Sequence, residues 1–191
     1  MEPDVVLGLD LTTCMGWAAF DLDGQLLDSG AWNLSQPDDA HDGDRWIACR
    51  GKLGQLLATY HGRICAIGFE RPSTVQWHTA RVSFGQAAII ELDAAKQSIP
   101  TTTISPSTLK LVVTGHGRAS KQEVEAAVVA RSGPLKMPGG STKTAAKLRS
   151  DEADARAIAI ALVSIYTIAD LRRRVLVRRP VEPKPRKKKA S

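Results

Sequence analysis

The run VVLGLDL at residues 5–11 is apolar apart from Asp10, and no basic residue lies near that carboxylate in the sequence. A second run, ICAIGFE at 64–70, repeats the arrangement and ends on Glu70. Short apolar runs of this kind predict buried central strands. An ionised carboxylate at the end of a buried strand is costly unless something compensates its charge. The fold must therefore bring counter-charge to both strand ends. If the two strands are parallel neighbours, Asp10 and Glu70 stand side by side.

The rest of the chain supplies a frame for those strands. GWAAFDL and QLLDSGAWNL flank Asp23-Gly24, a hairpin signal, so the chain opens with a three-strand meander. Residues 44–60 place Trp46, Ile47, Leu53, Leu56, Leu57 and Tyr60 at helical spacing. A long helix is expected over 76–98 and a strand over IPTTTIS, 99–105. Ser105-Pro106 offers an N-cap and a first-turn proline for a short helix over 106–113. Ser120 and Glu123 form a capping box for a helix running to about 131. Residues 132–149, rich in Gly, Pro, Ser and Lys, read as a mobile basic loop. Ser150 is expected to cap the last helix, DEADARAIAIALVSIYTIADL, with Asp151 and Asp154 in its first turn. The order predicts an α/β fold: a mixed five-stranded sheet with helices on both faces, in the three-layer ribonuclease H-like arrangement. One domain is expected over 1–171, followed by a disordered basic tail over 172–191.

Composition narrows the classes. With 191 residues, 43% of them hydrophobic, the chain can build one sizeable core. No stretch is long and apolar enough to span a bilayer, and MEPDVV lacks the basic-then-apolar layout of a signal peptide. Cys14, Cys49 and Cys65 are odd in number and show no CxxC spacing, which fits reduced thiols in a cytoplasmic protein. The net charge of +6 is unevenly spread. Residues 110–149 hold 8 basic and 2 acidic residues, and residues 172–191 hold 10 and 1. Blocks of that sign attract polyanions, nucleic acid above all.

Asp10, Glu70, Asp151 and Asp154 then form the candidate site. Carboxylates gathered together repel one another or take up protons. A pair of hard divalent cations removes the conflict, and two such ions about 4 Å apart can activate water and stabilise the leaving oxygen of a phosphodiester. Each acid also has a plainer reading. Asp10 could close a turn with Thr12 and Thr13, Glu70 could pair with Arg71, and the acids at 151–154 could complement a helix dipole. Asp154 resists the last reading, because it lies in line with the apolar stripe of Ile158, Ala161, Leu162 and Ile165. Lys110 and Lys121 flank the glycine-bearing loop VVTGHGRAS and are candidate phosphate contacts, or ordinary helix residues. His116 reads as an exposed loop residue. Trp77 and His78 could stack on a nucleobase or belong to the helix surface.

These residues resemble the RuvC family of Holliday junction resolvases. The resemblance is carried by GLDLTTCMGWAAF (8–20), GFE (68–70), FGQAA (84–88), TLKLVVTGHGRASKQEV (108–124) and DEADARAIAIA (151–161), in family order. It implies a homodimeric, Mg²⁺-dependent endonuclease, two ions per site with Mn²⁺ able to substitute, that cuts paired strands at four-way DNA junctions in the cytoplasm of a bacterium or a phage-infected cell. Asp10, Glu70, Asp151 and Asp154 fall at the family's metal-binding acids, and Lys110 and Lys121 at its active-site lysines. Arg71, Trp77, His78, Arg81, Arg118, Lys136, Lys143, Lys147 and Arg149 are the further candidate DNA contacts. Ser73 stands where the family carries an aromatic residue. The loop at 132–149 is longer and more basic than the family pattern and the basic tail is an addition, and together they imply tighter, less sequence-selective DNA binding.

Other classes share parts of the pattern. Actin-like ATPases and sugar kinases also open on a strand, Asp and Thr pair, but they need two such lobes and this length holds one. A junction-binding protein without cleavage, or a nuclease acting on other branched DNA or on RNA–DNA hybrid, would share the electrostatics, because phosphate contacts carry no identity. PKPRKKK in the tail could serve as a nuclear import signal or as a DNA arm.

Overall fold

The computed structural model describes residues 3–37, 41–72, 76–137 and 142–165; the side chains of Asp42 and His78 and the whole basic tail lie outside the described residues. Three strands form the meander: β1 (Val5–Asp10), β2 (Cys14–Asp21) and β3 (Leu26–Asn33). Then come α1 (Asp42–Thr59), β4 (Ile64–Glu70), α2 (Trp77–Lys96) and β5 (Thr101–Ile104). The chain continues through α3 (Pro106–Thr114), α4 (Lys121–Ser132) and α5 (Lys143–Ile165). The sheet order is β3-β2-β1-β4-β5. β1 runs parallel to β4 and antiparallel to β2, so Asp10 and Glu70 end neighbouring parallel strands as expected.

Local chemistry accounts for the connections. In the β2–β3 turn the Asp21 carboxylate accepts from the amides of Asp23 and Gln25, at 3.0 and 2.8 Å, while Gly24 takes φ 84°. Ser105 caps α3 through the Thr108 amide, with Pro106 in the first turn. Ser120 and Glu123 close the capping box of α4.

Strand alternation decides which face each residue serves. In β1, Val5, Leu7 and Leu9 join the core formed with α1 and α2, whereas Val6 joins the core formed with α3, α4 and α5. The period of two then places Val6, Gly8 and Asp10 on the α5 side, and likewise Ala66, Gly68 and Glu70 in β4. The glycines let α5 lie directly on the sheet. A methyl group on Gly8 would come 2.3 Å from the Ala155 carbonyl oxygen, and one on Gly68 would meet Leu162 at 3.2 Å. Ala155 and Ala159 lie against Gly8, and both are fully buried.

One expectation is corrected. The last helix starts at Lys143, and Ser150 is inside it. The cap is Thr142, whose hydroxyl accepts from the Ala145 amide at 3.1 Å. The segment TKTAAKLR is rich in strong helix formers, and these extend α5 by two turns into the stretch expected to be loop. Asp151 and Asp154 therefore lie mid-helix, away from the N-terminal dipole. The part of that stretch over 138–141 lies outside the described residues.

Candidate metal centre

Three carboxylates converge at the end of the sheet. Asp10, Asp151 and Asp154 each offer an oxygen, and these oxygens lie within 4.8 Å of one another. Asp10 comes from β1; Asp151 and Asp154 sit one turn apart on α5. The register explains the meeting. Asp10 pairs across the sheet with Gly16, and Gly16 lies beneath the backbone of Asp151. Glu70 lines the same cleft from the end of β4, outside the three-carboxylate cluster.

Cations surround these acids. Lys121 donates to Asp154 Oδ2 at 2.7 Å. Lys147 donates to both Asp151 oxygens, at 3.0 and 2.9 Å, and to the Thr12 hydroxyl at 3.3 Å. The Thr12 hydroxyl in turn donates to Asp151 Oδ2 at 3.0 Å, so it serves Asp151 rather than closing a turn on Asp10. Lys110 and Arg71 line the cleft, whose volume is about 470 Å³.

Four cations, Arg71, Lys110, Lys121 and Lys147, line the cleft with the four acids, yet burial still raises three of the carboxyls. Burial, then Asp154 and Asp151, push the Asp10 carboxyl well above the usual carboxylate range against the pull of Lys147. Burial and Asp154 raise Glu70, opposed by Lys110 and Lys121. Burial also raises Asp154 despite its bond to Lys121. A cluster of hard carboxylate oxygens suits a divalent cation of the Mg²⁺, Mn²⁺ or Ca²⁺ kind.

The other candidates are more dispersed. Arg81 lines a neighbouring cleft with Arg45, Trp46 and Thr13, and Lys147 borders both clefts. Trp77 is 74% exposed at the start of α2. Lys136 pairs with Asp28, and Arg149 with Glu125 at 3.2 Å. Lys143 is exposed, and so are His116, as expected, and Arg118 in the same loop. The expectations for Ser73 and for the His78 side chain fall outside the described residues.

Two features escape a reading of the sequence alone. The contact of Lys147 with Asp151 is an i,i+4 pair, and a helix that begins at 150 does not contain it. The second is a buried ion pair, Glu152 with Arg156 at 2.7 Å, both fully buried. Burial pushes the Glu152 carboxyl up, but the Met137 amide, the Ser29 hydroxyl, the Lys136 amide and Arg156 outweigh it and hold it below its ordinary value. Arg156 also reaches the carbonyls of Gly133 and Pro134, at 3.0 and 3.1 Å. The pair thus fastens the segment after α4 to α5, beside Asp151. Acids and bases at i,i+4 are usually read as a solvated face, and only burial distinguishes this pair.

A model of the family described as crossover junction endodeoxyribonuclease RuvC matches residues 25–162. The chain belongs to the RuvC family. A crossover junction endodeoxyribonuclease RuvC of Prochlorococcus marinus is 30% identical over 169 residues, covering 85% of this chain and 96% of that relative. The Streptomyces avermitilis RuvC is 35% identical over 129 residues, 64% of this chain and 71% of that protein. Among solved structures, T. thermophilus RuvC in complex with a Holliday junction substrate aligns with TM-score 0.67 and 22% identity, over 83% of this chain and 92% of that one. The sheet and helices seen here are therefore those of the RuvC fold. Among the described residues, no helix is long and apolar enough to cross a membrane.

Proposed function

We propose that this RuvC-family chain is a Mg²⁺-dependent endonuclease that resolves four-way DNA junctions by paired nicks. The convergence of Asp10, Asp151 and Asp154 within 4.8 Å, in a cleft bordered by lysines, is the observation that carries this reading. Asp10, Asp151 and Asp154, with Glu70 across the cleft, would hold two divalent cations, which supply an activated water and neutralise charge at the leaving oxygen. Thr12 fixes the rotamer of Asp151. Lys121, anchored on Asp154, and Lys110 face the position of the scissile phosphate and offset the charge that develops on it. The products expected are a 5′ phosphate and a 3′ hydroxyl.

Paired nicks need two active centres, and each chain supplies one, so the working species is a homodimer. Phe84 and Leu92 on α2 and Ile47 on α1 are exposed apolar side chains available for that contact. Lys143 and the 172–191 tail, with its formal charge of +9, extend the reach for phosphates. The compartment that follows from a DNA substrate is the cytoplasm of a bacterium or of a phage-infected cell.

The test sets labelled four-way junction, duplex, flap and RNA–DNA hybrid side by side with the protein and Mg²⁺. Symmetric nicking of the junction supports the reading. Cutting confined to the hybrid would replace the substrate, and no cutting of any of them would end the nuclease assignment.

A further inference from the structure

Lys147 occupies an unusual position. Its ammonium sits on both oxygens of Asp151 and on the Thr12 hydroxyl, and Asp151 is 2% exposed. The side chain starts from α5 one turn before Asp151, so the helix itself delivers the charge. Lys147 is also the cation shared by two clefts, the one holding the acids and the one lined by Arg45, Trp46 and Arg81. Lys121 differs, because it bonds to Asp154 and not to Asp151.

We propose that Lys147 is an internal cation competing with a divalent metal ion for Asp151. This rests on reading the acids as metal ligands. Lys147 already bonds both Asp151 oxygens, so a metal ion that coordinates either one meets an acid whose charge is offset and a repelling ammonium beside it. A metal ion that takes both Asp151 oxygens therefore competes with the Lys147 ammonium and moves it aside. The displaced side chain stays tethered at the boundary of the second cleft. A DNA phosphate there can receive its charge, so DNA favours metal loading and metal favours DNA binding, as linkage requires. In this role Lys147 is a positioning residue: it keeps Asp151 oriented and sets the free-energy cost of loading the site.

The experiment is a titration of the full-length protein, without DNA, with Mn²⁺ followed by calorimetry and by electron paramagnetic resonance of the free ion. Wild type, K147M, K147R and D10N are compared, each checked for folding by circular dichroism. K147M should bind Mn²⁺ about 1.5- to fivefold more tightly than wild type, the scale of losing one half-exposed competing ion pair. K147R, which keeps the charge, should stay near wild type. Equal or weaker binding by K147M overturns the inference, and so does tighter binding by K147R to the same extent as K147M. If wild type binds no Mn²⁺ that D10N loses, the metal reading of the acids fails and takes the competition with it. If wild type binds and D10N does not, the metal reading stands whatever K147M shows.

Discussion

Gly16 lies directly under Asp151: a methyl group built on Gly16 would come 1.9 Å from the Asp151 carbonyl oxygen. Backbone rests on backbone at this point, so there is no flexible side chain to move aside. Asp10, the cross-strand partner of Gly16, is thereby brought beside Asp151. G16A should push α5 off the sheet and destabilise the protein by about 1–3 kcal/mol, the usual range for overpacking. Cutting should fall further than the stability loss explains. Denaturant unfolding and nicking assays on the same preparation separate the two, and a fully active G16A would show that the acids tolerate displacement.

Asp10 trades stability for function. Its carboxyl is raised, so its contribution favours the fold at acid pH and is lost as pH climbs from the ordinary carboxylate range through the folded value. In EDTA at neutral pH, D10N should therefore melt a few degrees above wild type. That gain should vanish as pH drops below the ordinary carboxylate range. The same variant should abolish cutting while still binding junction. Thermal scans across pH test the first claim, and a D10N less stable than wild type at neutral pH would contradict it.

Lys121 lines the cleft and bonds to Asp154 at 2.7 Å, with its side chain 58% exposed. K121A should lower the single-turnover nicking rate about 10²–10³-fold, the range for removing one preorganised electrostatic donor. Junction affinity should change little. A large affinity loss with an unchanged rate would make Lys121 a binding residue only.

The Glu152–Arg156 pair is fully buried and should be costly to break from one side. R156M leaves the Glu152 charge stranded and should cost about 3–5 kcal/mol in urea unfolding. E152M with R156M together should recover much of that loss, because neither charge remains. A double variant as unstable as the single one would mean that the bonds from Arg156 to Gly133 and Pro134 matter more than the ion pair.

Removing residues 172–191 withdraws ten basic side chains and one acidic one. The slope of log affinity against log salt should flatten by about 0.9 for each phosphate that the tail neutralises in the intact protein. Binding measured at several salt concentrations checks this, and an unchanged slope would show that the tail does not touch DNA.

Much of this protein is written in its local sequence. Apolar runs ending on Asp10 and Glu70, the Asp23-Gly24 turn and the caps at Ser105 and Ser120 are short-range signals, and alternation alone assigns each strand-end acid to a face. The family resemblance also points to the four acids and two lysines. What the chain could not declare locally is where α5 begins, since TKTAAKLR follows a Gly-Pro-Ser stretch and carries the charge of a loop. The burial of Glu152 with Arg156 and the meeting of Asp10 with Asp151 depend on α5 lying on the glycines of β1, β2 and β4. Those contacts between α5 and the first strands join residues more than a hundred positions apart, and no window of sequence contains both partners.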